Sequence, residues 1–353
     1  MKPWEANIRK VTPYVPGEQP KDSNVIKLNT NENPYPPSPK VDDALHDVGE
    51  LRKYPDPEIY DLRKRLADYH GVDVSQVFVG VGSDDVLDNA FLTFFNGDKP
   101  ILFPDITYSF YDVWAELYKI PYEMVKVDDN FKIVKEDYYK PNGGVIFANP
   151  NAPTSIAEPI SFVRDILDHN KESVVIVDEA YVDFGGESAL PLVNEYENLL
   201  VVRTFSKSRS LAGMRIGYAI GNSELISALN DVKQSINSYT MTRMAINAGM
   251  ASVDDEDYFK TYVDKIIATR EWFVEEMREL GFTMPDSKAN FIFASHKSAR
   301  AQDIFEAAKK RGIFVRYFNK PRIDNYLRIT IGTDDEMKTF IDFLKDFLTT
   351  AGC

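Results

Sequence analysis

Lys207 lies in the stretch LLVVRTFSKSRSLAGMRIG, just beyond the apolar run Leu199 to Val202. Thr204, Ser206, Ser208 and Ser210 surround it with hydroxyls, and Arg209 and Arg215 add fixed positive charge. Upstream, the apolar run Val174 to Val177 stops on a carboxylate, Asp178, with Tyr181 three residues on. An amine, a carboxylate at a strand end, a phenol and an arginine among hydroxyls form a set with one coherent use. The amine condenses with an aldehyde, and the carboxylate keeps a heteroaromatic ring nitrogen protonated as an electron sink. The arginine and the hydroxyls hold a phosphate. Tyr181 and Asn151 would hydrogen-bond a phenolic oxygen on the same ring. The set suits pyridoxal phosphate.

The elements that must carry these residues alternate along the chain. Val77 to Val81, Ile101 to Phe103, Val145 to Ala148, Val174 to Asp178 and Leu199 to Val202 read as short buried strands, separated by segments of helical periodicity such as Ile160 to His169. Polar residues collect after the strand ends. The pattern predicts an α/β fold, an open, largely parallel sheet with its site at the carboxyl ends of the strands. Gly80-Val81-Gly82-Ser83-Asp84-Asp85 opens a helix with Ser83 as the expected N-cap, offering backbone N–H groups to a phosphate. Tyr108 stands at another strand-to-helix turn, where its ring can stack on a flat heterocycle. Val25 to Leu28 is a short strand running into Asn29-Thr30-Asn31-Glu32-Asn33-Pro34, an amide-rich turn of the kind that faces a ligand. Helices dominate after about residue 245, with strands at Phe291 to Phe293, Ile313 to Tyr317 and Tyr326 to Ile331, and a capping box of Thr333 and Glu336 before a last amphipathic helix. The expected division is 1–45, an N-terminal arm and part of a small domain; 46–245, a large cofactor-binding domain; and 246–353, an α+β small domain. Trp4 and Tyr14 are the anchors expected for the arm.

Among 353 residues, 44% are hydrophobic and 27% charged, ordinary values for a globular chain and enough for more than one core. A net charge of −14 speaks against a nucleic-acid partner, because a phosphate backbone is held by clustered Lys and Arg. Any bound anion must therefore be held by a few local arginines. The single cysteine, Cys353, excludes an internal disulfide and a thiolate metal site, and the four histidines lack metal-binding spacing. The first twenty residues carry no apolar signal core, and a cytoplasmic setting without a membrane partner is expected.

At Asn149-Pro150-Asn151-Ala152-Pro153-Thr154, Asp178-Glu179-Ala180-Tyr181, Ser206-Lys207 and Gly213-Met214-Arg215-Ile216-Gly217 the chain resembles the fold type I pyridoxal-phosphate aminotransferases. More narrowly it is similar to the histidinol-phosphate aminotransferase family, through Val11-Thr12-Pro13-Tyr14, Leu28 to Pro34, Tyr54-Pro55-Asp56-Pro57 and Gly82-Ser83-Asp84-Asp85. The resemblance covers nearly the whole chain. It implies a large domain with a mostly parallel sheet flanked by helices and a smaller α+β domain. It also implies Lys207 as Schiff-base lysine and proton shuttle, Asp178 at the pyridine nitrogen, Asn151 and Tyr181 at the phenolic oxygen, and Tyr108 stacked on the ring. The cofactor phosphate would be held by Ser206, Arg215, the backbone at Ser83 and Asp84, and Tyr54 from the second subunit of a homodimer. Arg328 would meet the anionic group of the substrate, with Arg316, Tyr14, Tyr239 and Asn29 nearby. The implied reaction exchanges an amino group between L-histidinol phosphate or imidazole acetol phosphate and glutamate or 2-oxoglutarate in histidine biosynthesis.

Ala152 and Ser155 stand where that family usually has Asn and Gly, and Ser208-Arg209-Ser210 is more polar than its usual counterpart. Arg209 is expected to bind an anion or to face water. An aromatic amino acid aminotransferase or a phosphothreonine-type decarboxylase would share every cofactor residue. A regulator's effector domain would need a basic helix-turn-helix extension, and a nucleotide-dependent oxidoreductase a Gly-x-Gly-x-x-Gly after the first strand; neither is present.

Overall fold

Runs of four to six mostly apolar residues, too short for helices and rich in Val, Ile and Phe, pair into the central sheet. The computed structural model describes residues 2–22, 24–47 and 49–351; Cys353 lies outside them. In chain order come β1 (Ile26–Lys27), α1 (Pro39–His46), α2 (Tyr60–His70), β2 (Val77–Gly80), α3 (Ser83–Phe94), β3 (Ile101–Pro104) and α4 (Tyr111–Tyr118). Then follow β4 (Tyr122–Val125), β5 (Gly144–Ala148), α5 (Ile160–His169), β6 (Val175–Asp178), β7 (Leu199–Thr204), β8 (Gly217–Gly221), α6 (Ser223–Ile236) and α7 (Arg243–Val253). The last part holds α8 (Glu256–Glu279), β9 (Phe282–Thr283), β10 (Phe291–His296), α9 (Ala301–Lys310), β11 (Ile313–Phe314), β12 (Arg316–Tyr317), β13 (Leu327–Thr330) and α10 (Asp334–Ala351).

The central sheet has the order β2-β8-β7-β6-β5-β3-β4. It is parallel except for β8, which runs antiparallel to both neighbours. Along β7 the side chains alternate: Leu199 and Val201 join one apolar layer, Leu200 and Val202 the other. Helices α2, α5 and α7 cover the first face through residues such as Leu62, Ile166 and Ala248. The second is covered by α3, α4 and α6 through Phe91, Trp114 and Leu229. Strands buried on both faces need no polar alternation, which is why they read as unbroken apolar runs.

A second core forms around β10 and β13, with α8, α9 and α10 packed against them. The order there is β12-β13-β10-β9, and β1 pairs with β11, so the chain's first strand belongs with its last ones. Thr333 and Glu336 form the expected capping box: Thr333 N–H donates to Glu336 Oε2 at 2.7 Å and Glu336 N–H to Thr333 Oγ1 at 3.3 Å.

Several local readings differ. The N-cap of α3 is Gly82 at φ +89°, and Ser83 is its first helical residue, because only the glycine takes that backbone angle readily. The stretch 313–317 splits into β11 and β12, which join different sheets. Trp4 is exposed, whereas Tyr14 stacks on Phe110 with centroids 4.2 Å apart. Arg209 neither faces water nor stands free: it is buried, donates to Ser252 O at 2.7 Å and lies over the Phe259 ring at 4.2 Å. Among the described residues no helix is long and apolar enough to cross a membrane.

Candidate active site

Strands β5, β6 and β7 end side by side, with Ala148 registered on Asp178 and Asp178 on Val202. A cavity of about 110 Å³ opens at these ends, lined there by Ala148, Asp178, Thr204 and Lys207. Small side chains leave the space, and the parallel sheet puts it at the carboxyl edge. Ala152, Ala180, Tyr181, Ser83, Asp84, Ser206 and Arg215 line it as well. Lys207 Nζ donates to Thr30 O at 3.2 Å and sits 5.7 Å from the centre of the Tyr181 ring.

Asp178 is buried, accepts from Tyr111 Oη–H at 2.9 Å and from the backbone N–H of Ala180 at 3.2 Å. Burial pushes its carboxyl up to about 6 despite these bonds, since among the described residues no cation pairs with it to offset the lost hydration. A buried carboxylate at a cavity wall without a cation fits a protonated ring nitrogen.

Another part of the lining, around Arg215, fits a phosphate. Gly82 lets α3 begin close under Arg215: a side chain at Gly82 would run into that guanidinium, and one at Gly217 into the Gly82–Ser83 backbone. The first-turn N–H groups of Ser83 and Asp84 have no partner within their helix. Arg215, itself at φ +54°, donates to Ser206 Oγ at 3.3 Å and lies 3.3 Å from Asp84 Oδ2. Asp84 also accepts from Tyr108 Oη–H at 2.8 Å, which brings Tyr108 into the same wall.

A wider cavity of about 480 Å³ shares Asp84, Tyr108, Ala152, Tyr181, Lys207 and Arg215 with the first and extends to Tyr14, Asn29, Arg316 and Arg328. Arg316 and Arg328 face each other across β12 and β13. Like charges opposed on a sheet are unfavourable unless something bridges them, and among the described residues neither guanidinium pairs with a carboxylate. Arg328 donates through Nη2 to Asn29 O at 2.9 Å, while its buried Nε has no partner. Burial lowers the pKa of this guanidinium, and Arg316 adds to the effect. The pair thus presents two guanidinium groups, neither matched by a carboxylate among the described residues, to the cavity.

Not every expected residue meets here. Asn151 donates both Nδ2 hydrogens internally, to Ile106 O and Thr154 Oγ1, each at 2.9 Å, and its neighbour Ala152 lines the cavity instead. Tyr54 and Tyr239 stack on each other at 4.4 Å, exposed and outside both cavities.

The whole arrangement has counterparts in known proteins. The model of the aminotransferase class I and II family matches residues 23–344. The histidinol-phosphate aminotransferase of Lactococcus lactis subsp. lactis is 52% identical over 347 residues, 98% of this chain and 96% of its own. That of Clostridium beijerinckii is 51% identical over 350 residues, 99% of this chain and 98% of its own. The chain belongs to the histidinol-phosphate aminotransferase family. The crystal structure of histidinol-phosphate aminotransferase from Sinorhizobium meliloti in complex with pyridoxal-5'-phosphate shares its fold at a TM-score of 0.81 and 23% identity, covering 92% of this chain and 91% of that one.

Two residues of the site in this family member escaped sequence reasoning. Tyr111, the hydroxyl partner of Asp178, sits among apolar residues at helical spacing and reads as core. Asn31 donates to the Tyr181 hydroxyl at 2.9 Å; the amide-rich turn signalled a ligand-facing loop, but nothing in the sequence distinguishes Asn31 from Asn29 or Asn33.

Proposed function

We propose that this chain is a pyridoxal-phosphate-dependent aminotransferase that exchanges an amino group between histidinol phosphate or imidazole acetol phosphate and glutamate or 2-oxoglutarate. The observation that carries the substrate reading is the opposed pair Arg316 and Arg328 in a cavity that also contains Lys207. Guanidinium takes a phosphate or a carboxylate equally well, as a donor and an acceptor of such different shape require.

When bound, the cofactor would supply an aldehyde carbon for the substrate amine and a protonated ring as an electron sink. Lys207 Nζ would hold the cofactor before substrate arrives and, once released, would take the proton from the α-carbon of the amino donor and, in the second half-reaction, deliver one to the α-carbon of the amino acceptor. Asp178 keeps the ring nitrogen protonated. Tyr181 would donate to the phenolic oxygen, and Asn151 fixes the loop that brings Ala152 to the cavity. The Ser83 and Asp84 N–H groups, Ser206 Oγ and Arg215 would hold the phosphate, and Tyr108 would face the ring. Tyr14 and Asn29 line the substrate end. Arg328 would anchor the substrate anion.

Tyr54 and Tyr239 are assigned to a neighbouring copy's site, which makes the enzyme a homodimer. The division into 1–45, 46–245 and 246–353 and a cytoplasmic setting belong to the same reading. Reconstitution with pyridoxal phosphate tests it. The wild-type chain should turn yellow, and Lys207→Ala should lose the absorbance characteristic of the lysine-bound cofactor. A wild-type chain that binds no chromophore would overturn the reading.

A further inference from the structure

The Tyr181 hydroxyl is useful at the cavity only if its proton points inward, and the structure contains a device that aims it. Tyr181 and Asn31 are both buried, and Asn31 Nδ2–H donates to the Tyr181 oxygen at 2.9 Å. Thr330 fixes which end of the Asn31 amide faces the phenol. The backbone N–H of Asn31 donates to Thr330 Oγ1 at 3.0 Å, so the threonine proton is left to go to Asn31 Oδ1 at 3.1 Å. With Oδ1 engaged, Nδ2 must face Tyr181. A phenol oxygen that accepts on one side keeps its own proton for another partner, and among the described residues no acceptor takes it. The backbone holds this geometry as well. Asn31 lies at φ +57°, a left-handed conformation that asparagine tolerates, and its carbonyl accepts from Asn290 Nδ2 at 3.0 Å.

We propose that Asn31 is a positioning residue that keeps Tyr181 a proton donor toward the cavity, oriented in turn by Thr330. The chain of bonds also polarises the phenol, since each donor strengthens the next. This inference rests on the reading that the cavity holds pyridoxal phosphate and that Tyr181 donates to its phenolic oxygen. Donation there favours the form in which that oxygen carries its full negative charge, and so lowers the pH midpoint of the bound chromophore's visible absorbance. Loss of the donor raises it.

The test is that midpoint, measured in the loaded enzyme for wild type, Asn31→Gly, Thr330→Val, Tyr181→Phe and the double variant Asn31→Gly with Tyr181→Phe. Glycine keeps the left-handed backbone and removes only the amide. Tyr181→Phe should raise the midpoint by about 1 to 2 pH units, the equivalent of a hydrogen bond to a charged group. Asn31→Gly should raise it by about 0.5 to 1, and the double variant should go no higher than Tyr181→Phe alone. Thr330→Val should shift it in the same direction, and this variant decides the matter if Asn31→Gly does not fold. A merely structural role would lower the melting temperature and leave the midpoint in place. A wild-type midpoint in both Asn31→Gly and Thr330→Val overturns the proposal, as does an Asn31→Gly shift that persists in full when Tyr181 is already phenylalanine. A midpoint unmoved by Tyr181→Phe would instead show that the donor assignment itself is wrong, and a colourless wild type that the cofactor reading is.

Discussion

The buried carboxylate of Asp178 makes opposite predictions for the cofactor-free and the loaded enzyme. Its pKa is raised from the ordinary 3.8 to about 6, mainly by burial. At about 1.4 kcal/mol per pH unit, keeping it ionised in the folded chain costs about 3 kcal/mol. The folded chain binds this proton more tightly than the unfolded chain does. The contribution of the group to stability is therefore complete below about pH 4 and is lost as the pH rises through about 6. Asp178→Asn removes the titration while keeping an acceptor for the Ala180 N–H, and the Tyr111 hydroxyl can turn to accept from the new amide. Without cofactor, the variant should match wild type near pH 4 and exceed it by about 2 to 3 kcal/mol at pH 8, read from urea midpoints across that range. With cofactor the order should reverse, because Asn cannot neutralise a protonated ring nitrogen. Loss of one charge-assisted bond, about 1.5 to 3 kcal/mol, weakens cofactor binding by roughly 10- to 150-fold. A stability difference between variant and wild type that stays flat from pH 4 to pH 8 would refute the reasoning.

Arg328→Gln removes the anion anchor from β13 and should raise KM about tenfold or more for both glutamate and histidinol phosphate, measured in steady-state assays with each as varied substrate. Gly82→Ala combines a strained left-handed position with a collision at Arg215, and should cut pyridoxal-phosphate affinity at least about tenfold in equilibrium titrations. Thr333→Ala breaks the capping box of α10 and should lower stability by about 1 kcal/mol without changing kcat, checked by denaturation and a parallel rate assay. Tyr54→Phe should lower activity only when the protein is dimeric, read by mixing it with an inactive Lys207→Ala chain and looking for partial recovery.

The gathering of Asp178, Tyr181, Ser206, Lys207 and Arg215 at one cavity was legible because it depends on residue type at strand ends. A buried parallel strand advertises itself as an apolar run, and a carboxylate or lysine at its carboxyl end stands out against that background. Strand β8 was not legible, since the glycines that let Gly217 lie against Gly82 weaken its pattern. Asn151 and Ala152 show the limit of reading a loop: adjacent residues point to different places, and only the bonds of Asn151 to Ile106 and Thr154 decide which one meets the cavity. The Arg316–Arg328 pairing likewise depends on antiparallel register, which short strands interrupted at Val315 do not announce.

The central claim is that this site transfers an amino group to and from a substrate carrying a phosphate. It is tested most directly by a single half-reaction series, following the visible absorbance of the loaded enzyme as histidinol phosphate or histidinol is added alone. The opposed arginines predict a second-order rate for histidinol phosphate at least about tenfold above that for histidinol, which lacks the anion, the least that one charge-assisted contact should give. Equal rates for the two would contradict it.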